Sequence, residues 1–277
     1  MATALRLISR GLRKNTFVPL YNSCSFLHTH STSFGYKEVK EEEKSRLVGN
    51  VFTSVATNYD LMNDLMSGGM HRLWKEKFVF SFDWDVAFRI LESINDVGRR
   101  ALRDQDDNVP EETQIFVCDI NSNMLTVGKK RAQERGFGED KSLVWVEGDA
   151  EELKFEDNSM DGYTIAFGIR NVTHIEKALA EAFRVLKRGG RFLCLELSHV
   201  ELPIFKELYD FYSFSVIPVI GELVAGDRES YQYLVESVRR FPTQEKFGSM
   251  IAEAGFQNVE YENLVGGVVA IHSGIKF

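Results

Sequence analysis

Between Met70 and Gly98 this chain has no glycine. The gap falls at the first strand-to-helix junction of an α/β pattern, where nucleotide-binding folds place a glycine-rich turn. Cysteine is scarce too, with three in 277 residues: Cys24 in a basic leader, Cys118 and Cys194 inside β-prone runs. That scatter excludes a disulfide framework or a zinc centre, and no metal is expected. Acid is missing from residues 1–37, which hold five Lys and Arg and leave 28 basic against 41 acidic residues in the rest. A body so acidic is a poor partner for nucleic acid, whose binding rests on phosphate neutralisation. Long apolar runs are absent as well. VIPVIGELVAG is short and is interrupted by Pro218 and Glu222, so no membrane span is expected.

What is present begins with the leader. Leu5, Ile8 and Leu12 share one helical face, Arg6, Arg10, Arg13 and Lys14 gather on the other, and Ser and Thr follow from Ser23 to Ser33. Basic, Ser-rich and acid-free is the composition of an organellar transit peptide, which the reading assigns to residues 1–35. Residues 36–277 then form the folded body. Val51 to Trp74 is expected to be a helical cover, broken at Gly68-Gly69 and either gating a ligand or simply packing. KFVFSFDW alternates Phe78, Phe80 and Phe82, which predicts the first strand, and a helix over 85–94 follows it. Residues 98–112 read as a polar loop.

The clearest unit is DGYTIAFGIRNVTHIEKALAEAFRVLKRGGRFLCLELS, from Asp161 to Ser198. It reads as a buried strand, a loop, a helix opened by a Thr173–Glu176 capping box and ended at Gly189-Gly190, and a second strand. Ile115 to Cys118 predicts a strand ending at Asp119, with Asn121 capping the next helix, and Leu143 to Val146 a strand ending in Gly148-Asp149-Ala150. Asp119, Asp149 and the loop 168–171 thus stand at carboxyl ends of parallel strands, the rim where such sheets bind ligands. Residues 201–240, rich in aromatics, read as helices over that rim, either a lid for a greasy substrate or a packing insertion. A helix from Thr243 to Ala254 stopped by Gly255 and an antiparallel pair joined through Gly266-Gly267 close the chain. A nicotinamide dehydrogenase is disfavoured, because Gly136-Phe137-Gly138 follows a helix rather than a strand.

YDLMNDLMSGGMHRLW, CDIN, GDAEELKFEDNSMDGYTIAFGIRN, RVLKRGGRFLCLELS and GGVVAIHSGIKF together resemble the ubiquinone/menaquinone biosynthesis C-methyltransferases, from about Val51 to Phe277. The resemblance implies an S-adenosylmethionine-dependent methyltransferase fold, a Rossmann-like, mostly parallel α/β sheet with a terminal antiparallel strand and a helical lid insertion at 201–240. It implies methylation of a ring carbon of a polyprenylated methoxy-benzoquinol in ubiquinone biosynthesis. The site residues it implies are Asp119 on the cofactor ribose, Asp149 and Ala150 at the adenine, Ala166 lining the cofactor, and Arg170 in catalysis. A mitochondrial matrix location, a peripheral place on the inner membrane and membership of the ubiquinone-synthesis complex are implied too. One motif departs from the family: LDVAGGTGD before DVAFRIL is replaced here by FSFDW. Losing two or three hydrogen bonds of about 1 kcal/mol predicts cofactor affinity weakened on the order of 30- to 100-fold. The alternative expectation is therefore an impaired homologue serving as an interaction subunit.

Overall fold

The computed structural model describes residues 4–10, 31–81, 113–138 and 142–277. Its main sheet has seven strands: β1 (Ala4–Arg10), β4 (Thr113–Asp119), β5 (Leu143–Glu147), β6 (Met160–Ala166), β7 (Leu186–Leu197), β8 (Gln257–Leu264) and β9 (Val269–Ile275). Their order is β5-β4-β1-β6-β7-β9-β8. β4 pairs parallel with β5, β6 pairs parallel with β7, and β9 runs antiparallel between β7 and β8. A small hairpin, β2 (Ser31–Phe34) with β3 (Lys37–Lys40), stands apart from it.

The slot between β4 and β6 holds the amino-terminal segment rather than Phe78 to Phe82. β1 lies antiparallel to both neighbours, with Leu5 opposite Cys118 and Ala4 opposite Ala166. The predicted first strand is instead the end of a helix. After α1 (Glu41–Val55), α2 (Tyr59–Ser67) stops at Gly68 and α3 (Met70–Phe80) starts at Gly69, both glycines left-handed at φ 58° and 80°. Trp74 and Phe78 in α3 are one turn apart and both buried. They pack with Ile115, Val117, Leu193 and Leu195 on one face of the sheet. Burial of that helical stripe outweighs the alternation, which suits a strand equally well. Phe82 to Trp84, the helix expected over 85–94 and the loop 98–112 lie outside the described residues.

Elsewhere the elements follow the sequence. Asn121 caps α4 (Ser122–Glu134) by accepting from Asn123 N, and Thr243 caps α9 (Gln244–Glu253), which Gly255 follows at φ 108°. The opposite sheet face packs Leu179 and Ala182 of α5 (Ile175–Val185) with Phe247 and Ile251 of α9. Two local expectations differ. The Thr173–Glu176 box does not form; Thr173 N and His174 N both donate to Glu151 Oε1, at 2.6 and 2.9 Å. A long-range carboxylate thus takes the donors that the local motif would have served. The helix also ends at Val185, and Leu186 to Arg191 is already strand with an irregular register.

Residues 203–240 are helical throughout most of their length. α6 (Pro203–Phe211) passes through a wide π turn (Tyr212–Val216) into α7 (Ile217–Ile220), and α8 (Arg228–Arg240) packs back on it. Pro218 does not break the run, because the π turn ahead of it removes the need for its missing N–H. The whole stretch Pro203–Ala225 is long and apolar enough to cross a membrane by length and composition, contrary to expectation.

Candidate active site

A cleft opens at the carboxyl ends of β4 and β5. Asp119, Gly148, Asp149 and Ala150 form its sheet side, Val48 and Phe52 of α1 its cover, and Asn171 and Val172 its far wall. Asp119 ends β4 and is 7% exposed; its Oδ1 accepts from Asn121 N at 2.8 Å. Burial pushes its carboxyl up to about 7, while that hydrogen bond pulls the other way. Asp149 Oδ1 accepts from Glu151 N at 2.9 Å and so folds its own turn. Gly148 has to be small, since a Cβ there would sit 2.9 Å from Cys118 Sγ. The Cys118 thiol, driven up to about 12 by burial, is protonated and not a nucleophile at neutral pH.

α1 is tied over this cleft by polar contacts. Asn121 Nδ2 donates to Gly49 O at 3.2 Å, and Lys44 Nζ donates to Val172 O at 2.9 Å. Lys44 is 6% exposed, and burial lowers its pKa against the opposing field of Glu151 and Glu41.

Beside the cleft lies a second, small cavity lined by Arg170. The strand end that leads to it is strained. Phe167 is left-handed at φ 58°, a costly conformation for a bulky residue that clusters at functional sites. The bend aims its carbonyl at Arg170 Nη1, 2.7 Å away. Nη1 also pairs with Glu196 Oε1 at 2.8 Å, and Nε donates to Ser237 Oγ at 3.2 Å. Both charged side chains are about fully buried, at 2% and 1% exposure. Nη2 takes no part in these bonds.

The cavities are neighbours that share walls. Phe52 and Asn171 line both the cleft and the Arg170 cavity. Asn63, Met66 and Leu234 line both the Arg170 cavity and a third, apolar one, whose walls include Trp74, Leu197, Tyr209 and Ile217. A cleft with two aspartates on its sheet side, a small chamber beside a guanidinium and a greasy pocket thus follow one another. Such a series suits a polar cofactor, a reacting ring and an apolar tail.

A family model matches residues 37–276, and its description is the ubiE/COQ5 methyltransferase family. The chain belongs to that family. It is a methyltransferase that uses S-adenosylmethionine. The mitochondrial 2-methoxy-6-polyprenyl-1,4-benzoquinol methylase of Arabidopsis thaliana is 69% identical over 290 residues, with 99% of each chain covered. The protein of that name in Homo sapiens is 50% identical over 277 residues, covering 88% of this chain and 84% of that one. Those 277 aligned positions exceed the 88% of this chain that they cover, so the human protein carries residues with no counterpart here. Among solved structures, the Haemonchus contortus phosphoethanolamine N-methyltransferase 2 with S-adenosylhomocysteine is 16% identical with a TM-score of 0.41, over 58% of this chain and 43% of that one.

Of the residues singled out from sequence, the fold brings Asp119, Asp149 and Ala150 into the cleft and Arg170 into the neighbouring cavity. Ala166 ends β6 opposite Ala4 and is not among the lining residues of the cleft. In this methyltransferase, sequence reasoning missed Lys44, Glu151, Asn63 and Glu196. Glu196 left a signal: a lone carboxylate inside the apolar strand RFLCLELS requires a buried cation. Asn63 and Lys44 left none, since their burial depends on how α1 and α2 fold back over the rim.

Proposed function

We propose that the chain transfers the S-adenosylmethionine methyl group to a ring carbon of 2-methoxy-6-polyprenyl-1,4-benzoquinol, the substrate named in its relatives, in ubiquinone biosynthesis. The observation that carries this is the row of three neighbouring cavities that share Asn171 and Asn63 as walls, the last an apolar pocket fit for an isoprenoid tail. Asp119 accepts hydrogen bonds from the ribose hydroxyls, and Asp149 and Ala150 face the adenine. Ala166 lies at the same rim and contributes backbone only. The cofactor, when bound, supplies an electrophilic sulfonium methyl. Arg170, its guanidinium held by Glu196 and Phe167, offers Nη2 to favour the phenolate formed when the quinol hydroxyl gives its proton to a water, and that phenolate makes the ring carbon nucleophilic. Alignment of ring and methyl is then chiefly positioning, by α1 above and the helices of 201–240, the lid.

Residues 1–35 serve as a mitochondrial leader in this reading, and 36–277 as the methyltransferase domain in the matrix. The exposed apolar stretch Pro203–Ala225 supports a peripheral seat on the inner membrane, with the ubiquinone-synthesis complex as partner. The test is methyl transfer from labelled S-adenosylmethionine to a short-chain methoxy-benzoquinol. Product methylated at oxygen rather than carbon, or no product at all, would refute the assignment.

A further inference from the structure

Two buried amide donors in the chamber between cleft and pocket have no acceptor. Asn63 is 3% exposed and Asn171 8%, and the Nδ2 atom of each lacks a partner among the described residues. Asn171 is fixed in orientation, because its Oδ1 accepts from Tyr233 OH at 3.0 Å. Burying an unpaired amide donor costs about 1–3 kcal/mol, so a fold that carries two at one cavity holds them for an acceptor that arrives later. Asn171 stands at the wall shared with the cofactor cleft, and Asn63 at the wall shared with the apolar pocket. The two donors therefore mark the two ends of the chamber.

The substrate's chemistry matches that polarity. A 1,4-quinol with a 2-methoxy and a 6-prenyl group has two free ring carbons, at 3 and 5, and both are ortho to the 4-hydroxyl. The 1-hydroxyl lies between the methoxy group and the tail. With the tail in the apolar pocket, the 1-oxygen faces that pocket's wall and the 4-oxygen faces the cofactor. Resting on the substrate reading above, we infer that Asn63 and Asn171 form a two-ended clamp. Asn63 Nδ2 donates to the 1-oxygen and anchors the ring. Asn171 Nδ2 donates to the 4-oxygen, whose proton passes to a water. The phenolate activates either neighbouring carbon, and that carbon's own proton leaves to water once it has taken the methyl, restoring the aromatic quinol. The first interaction is the same in ground and transition states; the second strengthens as charge builds on the 4-oxygen.

The two roles separate kinetically. Asn63→Leu and Asn171→Leu are compared with the unmodified full-length chain in S-adenosylhomocysteine calorimetry, short-chain quinol binding, turnover and thermal melting. Asn63→Leu is expected to raise KM for the quinol about five- to tenfold with kcat nearly unchanged, the loss of one net hydrogen bond. Its penalty should vanish with an analogue lacking the 1-oxygen. Asn171→Leu is expected to lower kcat more than it raises KM, and to move the rising limb of the kcat–pH profile to higher pH as the phenolate loses its donor. Asn63→Leu should melt no lower than the parent, because an unpaired buried donor has been removed. Asn171→Leu should melt somewhat lower, because Tyr233 OH loses its acceptor. Both should keep cofactor affinity within about twofold. A merely structural asparagine would lower the melting temperature and leave the quinol kinetics alone, which overturns the clamp. So does an Asn63→Leu penalty that persists with the 1-deoxy analogue. No quinol binding by the unmodified chain would overturn the substrate reading itself, and the clamp with it.

Discussion

Asp119 is a charged acceptor in a place that disfavours charge. With burial raising its carboxyl to about 7, the folded chain holds a proton there across pH values at which the unfolded chain has released it. Its contribution to stability therefore falls as pH rises from about 4 to about 7. Ribose hydroxyls donate to the ionised form, so cofactor binding should strengthen as pH rises through about 7. Calorimetry of S-adenosylhomocysteine between pH 5.5 and 8.5 checks this, with Asp119→Asn expected to bind weakly and without that pH dependence. A flat profile for the parent would show that Asp119 does not hold the ribose. Arg170 poses a different problem, because removing it strands Glu196. Arg170→Ala should cost about 3–5 kcal/mol of stability, whereas Arg170→Met with Glu196→Leu should cost much less. Equal melting temperatures for the single and double variants would mean that the pair is not coupled. Turnover of the single variant is meaningful only below its lowered melting point, where cofactor binding should persist and methyl transfer should not.

At the scale of elements, the centre of the sheet carries the clearest prediction. β1 hydrogen-bonds to β4 and β6 on both sides, so deleting residues 1–30 would leave two unpaired edges in mid-sheet. Loss of both ladders should lower the melting temperature on the order of 10 °C. If a leader is cut away on import, the same strand goes with it. Inserting LDVAGGTG ahead of Asp85 in place of Phe82 to Trp84 restores the family's own strand and its glycine turn, in the part of the chain beyond the described residues. In that repaired chain, deletion of residues 1–30 should be harmless and cofactor affinity should rise about 30-fold or more. If the deletion costs the same in both chains, the two segments do not compete for one slot. Legibility divides along similar lines. α9, β8 and β9 could be read directly because caps and glycines fix their ends locally. α3 could not, since a spacing of four, as between Trp74 and Phe78 or Phe78 and Phe82, fits a period of two and of 3.6 alike. The rim acids were legible from strand ends alone. The buried donors Asn63 and Lys44 were not, because only tertiary packing puts them inside.

For the molecule as a whole, the question is how a substrate with an isoprenoid tail reaches the chamber. Pro203–Ala225 exposes Ile204 (87%), Leu208 (64%), Phe211 (64%) and Leu223 (80%), an apolar face that a protein in water has little reason to keep. Its underside is anchored to the body. Tyr212 OH donates to Met66 O at 3.1 Å, and Ile217 packs with Met62. The same run supplies Tyr209, Tyr212 and Ile217 to the wall of the apolar pocket. One element therefore touches both the pocket and the outside, so a tail could pass from a bilayer to the chamber without crossing water. The face is apolar, Lys206 stands beside Glu207, and Asp210 and Glu222 are paired with Arg239 and Arg228, so there is no unpaired basic cluster on it among the described residues and binding should not depend on anionic lipid. The full-length chain is expected to float with neutral phosphatidylcholine vesicles and to stay bound at high salt, where charge-driven adsorption is screened. Ile204→Asp with Leu223→Asp removes two apolar anchors of about 1.5–3 kcal/mol each and should cut the bound fraction at least tenfold. The double variant should still bind S-adenosylhomocysteine and methylate a short-chain quinol added in detergent-free buffer. Flotation that survives both substitutions, or that needs anionic lipid and disappears in salt, would place the membrane contact elsewhere on the molecule.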